Sequence, residues 1–104
     1  MSTLSKPFDA AILFETTSSQ ISLLEDAMES GHAGYMASAL GTIARARGMT
    51  QIAKDAGVTR EALYKSLSAD GDPRLSTLLG VMKALNLKLS VEKVEAQAAS
   101  VAAE

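Results

Sequence analysis

Arg60, Glu61, Tyr64 and Lys65 are spaced so that a helix would carry all four on one outward side. Their types suit recognition of a nucleic acid. Arginine presents a planar fork of donors to a guanine edge or a phosphate, and lysine presents a point charge. Tyrosine can meet a phosphate or a thymine methyl. Thr59 stands immediately before them, where its hydroxyl caps the helix and can reach a phosphate. Upstream, Arg47, Thr50, Gln51 and Lys54 supply further donors of the kind that hold a phosphate backbone. Two of these residues carry a second reading each. Arg47, with Arg45, either contacts phosphates or only caps the negative end of a helix. Tyr64 either contacts DNA or packs its ring on a neighbouring helix.

The elements that position these side chains lie in Met49 to Ser68, MTQIAKDAGVTREALYKSLS. The stretch predicts two short helices joined by one tight turn. Thr50 is the expected N-cap of the first, and Ile52, Ala53 and Ala56 form its small apolar face. Gly57 suits the left-handed conformation that ends a helix and turns the chain sharply. Val58 plugs the corner. Thr59 caps the second helix, Arg60 to Ser68, in which Leu63 and Leu67 face inward. A short helix held in this way exposes its N-terminal half and suits the major groove. Three-helix bundles that bind nothing also show an Ala, Gly, Leu pattern, but two N-caps and an exposed basic helix argue against that reading.

The stretch resembles the helix-turn-helix of bacterial repressors. The wider run from Ala39 to Leu89, ALGTIARARGMTQIAKDAGVTREALYKSLSADGDPRLSTLLGVMKALNLKL, resembles the addiction-module antidote proteins. The segments ARARGMTQ and REALYKSLS carry most of that likeness. The resemblance implies an antitoxin encoded beside a small ribonuclease-type or related toxin, so it implies a toxin partner. The implied fold is mainly α, a lambda-repressor-like bundle of five helices, with short terminal strands expected from the sequence pattern.

Elsewhere the pattern predicts three more helices. Thr17 to Gln20 has capping-box form, and Ile21, Leu24 and Met28 recur inward at helical spacing, with Glu25, Asp26 and Glu29 outward. Gly31 stops that helix. The next runs from about Ala33 to Arg47, with Met36, Ala39, Leu40 and Ile43 inward and Gly48 at its close. Asp72 is the expected cap of the last helix, with Pro73 in its first turn. Leu75, Leu78, Leu79, Met82 and Leu85 form its stripe, and a left-handed Asn86 ends it. Ala11 to Phe14 reads as extended, and Leu87 to Val94 alternates as a strand does. Glu95 to Glu104 is alanine-rich and expected to fray. The organisation expected is an extended segment over 1–16, a DNA-binding domain over 17–86, and a strand and tail over 87–104 that serve dimerisation.

The chain has 104 residues, no Cys and no Trp, and 47 % apolar residues, so its core must be aliphatic. One His and no Cys cannot make an ordinary zinc site, and His32 reads as a solvated loop residue. Asp70 and Asp72 beside Gly71 lack the downstream ligands of a calcium loop. The glycines read as isolated helix stops rather than a phosphate-cradling loop, and no Ser, His and acid constellation is indicated. No cofactor and no enzymatic activity are therefore expected. No membrane span or signal peptide is expected either, and the absence of Cys fits a reducing cytoplasm.

Net charge is −2, but it is unevenly placed: −4 over residues 1–44, +4 over 45–88 and −2 over 89–104. Local potential governs nucleic-acid binding more than total charge does. The function expected is sequence-specific repression of the protein's own operon, as an antitoxin. The alternatives are a solitary helix-turn-helix regulator and a helical protein-interaction module. One short reading helix discriminates weakly, so a homodimer on an inverted repeat is expected, joined through Leu87 to Val94 and braced by Ala11 to Phe14; the alternative is that this segment only folds back on its own chain.

Overall fold

The computed structural model describes residues 16–94, which hold five helices and no strand. The helices are α1 (Thr17–Ser30), α2 (Ala33–Arg47), α3 (Met49–Ala56), α4 (Arg60–Ser66) and α5 (Leu75–Ala84). Ala11 to Phe14 and Glu95 to Glu104 lie outside the described residues.

Helix α1 packs on α2, and α3 packs on α2, α4 and α5. The core is aliphatic and built mostly of small side chains. Leu40, Ile43, Ala44, Leu63 and Val81 have no exposed surface. Around them pack Leu24, Met49, Ile52, Ala53, Leu67, Met82 and Leu85. Small residues let helices approach closely. A Cβ built on Gly41, in the middle of α2, would lie 2.2 Å from the backbone carbonyl oxygen of Leu67. One built on Gly80 of α5 would lie 3.1 Å from Cα of Ala56 on α3. These two glycines, with Gly34, lie inside helices, so only Gly31, Gly48 and Gly57 act as the helix stops that the sequence pattern suggests.

Several boundaries differ from the sequence pattern. Thr16, not Thr17, caps α1, its hydroxyl accepting from the Ser19 amide at 3.2 Å. Gln20 is then carried inward and is only 2 % exposed, instead of reaching back as a capping box requires. Met28 of α1 is 53 % exposed and Ile21 37 %, while Ala27 takes the buried position between the turns. On α5, Leu75 and Leu79 face solvent and Val81 is buried in their stead. That helix starts at Leu75 after Arg74, so Asp72 and Pro73 precede it.

At its other end α5 closes as the sequence suggests. Asn86 is left-handed (φ 61°), its amide bonds to Lys83 carbonyl at 3.0 Å, and the Leu87 amide bonds to Met82 carbonyl at 2.8 Å. This pair of bonds is a Schellman motif, and the apolar residue after the turn folds back on the helix. Leu87 and Leu89 accordingly pack against the core, while Lys88 and Ser90 are exposed. Packing on helices therefore accounts for the first two apolar positions of the alternation, whereas Val91 is 98 % exposed. Leu87 to Val94 is not a strand, because a strand needs a ladder partner and none exists among the described residues.

Gly41→Ala is expected to lower stability by about 1–3 kcal/mol through overpacking against the Leu67 carbonyl. Gly31→Ala meets no neighbouring atom, but its φ of 70° is left-handed, so backbone strain alone should cost about 1 kcal/mol. Thermal midpoints of the two variants check both losses.

Candidate nucleic-acid interface

The candidate site is the outer surface of α3 and α4 with the end of α2. Gly48 alone separates α2 from α3, with φ 116° and ψ 102°. It ends one helix and starts the next, and its carbonyl accepts the Ile52 amide at 3.1 Å. Thr50 is consequently inside α3 rather than its N-cap, and it is exposed. The cap expected there fails because the chain begins its helical turn two residues earlier, at the glycine.

The connection between α3 and α4 is Gly57-Val58-Thr59. Gly57 has φ 76°, its amide bonds to the Lys54 carbonyl at 3.2 Å, and the Val58 amide bonds to the Ala53 carbonyl at 3.0 Å. This is again a Schellman motif, in which the residue after the glycine makes the apolar contact. Val58 is half-buried against the core, as that motif requires. Thr59 then caps α4, its hydroxyl accepting from the Ala62 amide at 3.0 Å. Leu63 and Leu67 are buried, so the seven-residue α4 is seated by its inner side.

The outward residues are Arg60, Glu61, Tyr64 and Lys65, all exposed. The Arg60 guanidinium carbon lies 5.3 Å from the centroid of the Tyr64 ring, and Nη2 donates to the Tyr64 hydroxyl at 3.4 Å. A cation over an aromatic face at an exposed site contributes about 0.5–1 kcal/mol. Tyr64 thus supports Arg60 one turn away, and it remains 41 % exposed. On α3, Gln51 donates from Nε2 to Asp55 Oδ1 at 2.9 Å, and Lys54 is exposed.

Arg47 is exposed but tied inward, its Nε donating to Oε1 of buried Gln20 at 3.2 Å. This bond fastens the end of α2 to the start of α1. It is a further role beside the two expected of Arg47, which stands in the last turn of α2, and its partner lies twenty-seven positions away. Arg45 is half-buried and donates from Nη2 to Thr42 Oγ1 at 3.5 Å, one turn back. His32 is exposed at the start of α2. Among the described residues no group of three His, Cys, Asp or Glu is placed to hold a metal, and no helix is long and apolar enough to cross a membrane.

The chain is therefore a small, mainly helical protein whose candidate interface is two short helices joined by a glycine turn. It belongs to the addiction-module antidote family: the sequence model described as "probable addiction module antidote protein" matches residues 4–93. An antidote family implies a toxin partner. The chain is also similar to an uncharacterized protein of Haemophilus influenzae (strain ATCC 51907 / DSM 11121 / KW20 / Rd). The two are 47 % identical over 89 residues, which cover 85 % of this chain and 91 % of the relative. No solved structure matches the chain.

Gly57→Val is expected to cost about 1–3 kcal/mol, because a β-branched residue is strained in the left-handed region even where space is open. Nothing lies within 4 Å of a Cβ at this position, so backbone strain alone sets the loss. An unchanged thermal midpoint would contradict it.

Proposed function

We propose that this protein is the antitoxin of a toxin–antitoxin module and represses its own operon by binding operator DNA through α3 and α4. In this reading the pair is a helix-turn-helix of the repressor type, and the protein is a cytoplasmic binding protein, not an enzyme. The observation that carries the reading is the outward surface of α4. Arg60 is held over Tyr64 beside Lys65 and the Thr59 cap, on a helix seated by Leu63 and Leu67. A short rigid helix that presents arginine and lysine from its solvent side fits the major groove.

The roles divide by position. Arg60, Glu61, Tyr64 and Lys65 face the bases, with Arg60 the candidate for a bidentate contact to guanine. Thr50, Gln51 and Lys54 on α3, with Arg47 and Thr59, face phosphates, which fix register without carrying sequence information. The +4 charge of residues 45–88 supplies the sequence-independent attraction. One copy carries one such helix, and two-fold symmetry on an inverted repeat adds the second. A homodimer is accordingly part of the proposal. Leu75 and Leu79, exposed one turn apart on α5, are its candidate apolar contact.

Arg60→Ala is expected to weaken specific binding by about 1–3 kcal/mol and relax sequence preference at one base position. Lys54→Ala should instead weaken all sequences alike and flatten the salt dependence by about one unit of slope. Mobility shifts over a salt series distinguish the two effects. If wild-type protein shows no salt-dependent DNA binding, the repressor reading is wrong. Light scattering with Leu79→Asp checks the dimer, for which a monomer is expected.

A further inference from the structure

The opposite charge gathers elsewhere. Helix α1 and the segment after α5 enclose a groove of about 870 Å³. Its apolar lining includes Ile21 and Met28 of α1, Met36 of α2 and Leu89. Its rim is acidic: Glu25, Asp26, Glu29 and Glu92 line it, against one base, Lys88. Asp26 is held in place by the Tyr35 hydroxyl, which donates to its Oδ2 across α1 and α2. That bond to the carboxylate, with lesser contributions from desolvation and the negative charge, raises the Tyr35 pKa.

Ile21 and Met28 are apolar yet exposed, two helical turns apart along α1, a separation of about 10 Å. Unbranched methionine adapts to the shape of a partner, which suits an apolar recognition surface. An amphipathic helix lays its apolar face into such a groove with anchors at about i, i+4 and i+7. The acidic rim requires that the flanks of that helix be lysine or arginine. Neither terminal segment of this chain meets that requirement, because residues 1–15 sum to −1 and residues 95–104 to −2.

We propose that this groove is the docking site for the toxin and that it takes a cationic amphipathic helix of that partner. The inference rests on the antitoxin reading and names its surface. The toxin seats apolar side chains on Ile21, Met28 and Leu89, and its basic flanks pair with Glu25, Glu29 and Glu92. The DNA-reading residues of α3 and α4 take no part in this contact.

The probe is the product of the reading frame adjacent to this gene, purified and titrated calorimetrically into the full chain. The comparison set is wild type, Glu25→Lys/Glu29→Lys, Met28→Asp and, as a control on the other surface, Arg60→Ala. The two groove variants are expected to lose about tenfold or more in affinity and to fail to rescue growth when co-expressed with the toxin. Arg60→Ala should bind and rescue as wild type does. Added salt should weaken the wild-type complex. The changed side chains are exposed, so melts should be little altered; if a variant unfolds, Glu25→Gln/Glu29→Gln replaces it, with a smaller loss expected.

Wild-type binding that survives in both groove variants overturns the site while leaving the antitoxin reading intact. No wild-type binding and no rescue overturn the antitoxin reading and the site with it. Two other occupants would also overturn the proposal. A chain lacking residues 1–14 that binds the toxin tenfold more tightly assigns the groove to the chain's own N-terminal segment. A wild-type dimer that Met28→Asp converts to monomer assigns it to a second copy.

Discussion

The structure depends on close approach between helices that carry little side chain where they meet. Gly41 lets the backbone of α2 meet the carbonyl of Leu67, at the end of α4. Gly80 lets α5 meet Ala56, the last residue of α3. With no Trp and few aromatic residues, such a chain gains burial by bringing backbones together instead of filling space with rings. The contacts fall at the ends of α3 and α4, so the two short helices are gripped where they would otherwise fray. Isolated helices of eight and seven residues are unstable in water, and tertiary packing is what keeps them formed. The candidate interface keeps its shape through the burial of its inner side.

That grip also separates the charges. Helices α3 and α4 spend Ile52, Ala53, Leu63 and Leu67 on the core and leave their charged residues outside. Helix α1 spends Leu24 and Ala27 and leaves Glu25, Asp26 and Glu29. Residues 16–94 therefore sum to +1, with the acids of α1 and the bases of α3 and α4 on different helices, and the remaining −3 of the chain lies in residues 1–15 and 95–104. Screening at physiological salt acts over about 8 Å, so separate surfaces present largely separate potentials to their partners. Total charge is a poor guide to what either surface attracts.

What was legible in the sequence was what local chemistry decides. The left-handed Gly57, the Thr59 cap and the left-handed Asn86 each follow from the preferences of one residue and its neighbours. Caps offered by adjacent candidates were less legible. Thr16 and Thr17 are both competent, and the choice moved Gln20 from a capping role into the interior. Thr50 lost its capping role to Gly48, which has no side chain to announce one. The strand reading of Leu87 to Val94 failed for a different reason. Alternation reports that one side of an extended chain is buried, and it is silent on whether a strand or a helix does the burying. The glycines inside α2 and α5 were misread as stops because the carbonyl and the Cα they admit belong to distant parts of the chain. Of the candidate site, the exposure of Thr50, Gln51, Lys54, Thr59, Arg60, Glu61, Tyr64 and Lys65 was readable, whereas the stacking of Arg60 on Tyr64 and the groove beside α1 were not.

Arg47 shows why residue type alone could not assign a role. A guanidinium carries five N–H donors, and the bond to Gln20 uses the one on Nε. An arginine bonded through Nε is fixed at the base of its fork while its two terminal nitrogens extend beyond. The same side chain can tie α2 to α1 and still present a fork at the surface, where it is exposed. Under the proposed function, structural fastening and phosphate contact would be two uses of one group, and fastening would lower the entropy lost on that contact. Lysine could supply the charge but not this arrangement, since its single nitrogen would have to choose between Gln20 and the solvent side. The residue at the junction of the anionic α1 and the cationic helices is therefore one whose geometry, rather than its charge, makes it suitable.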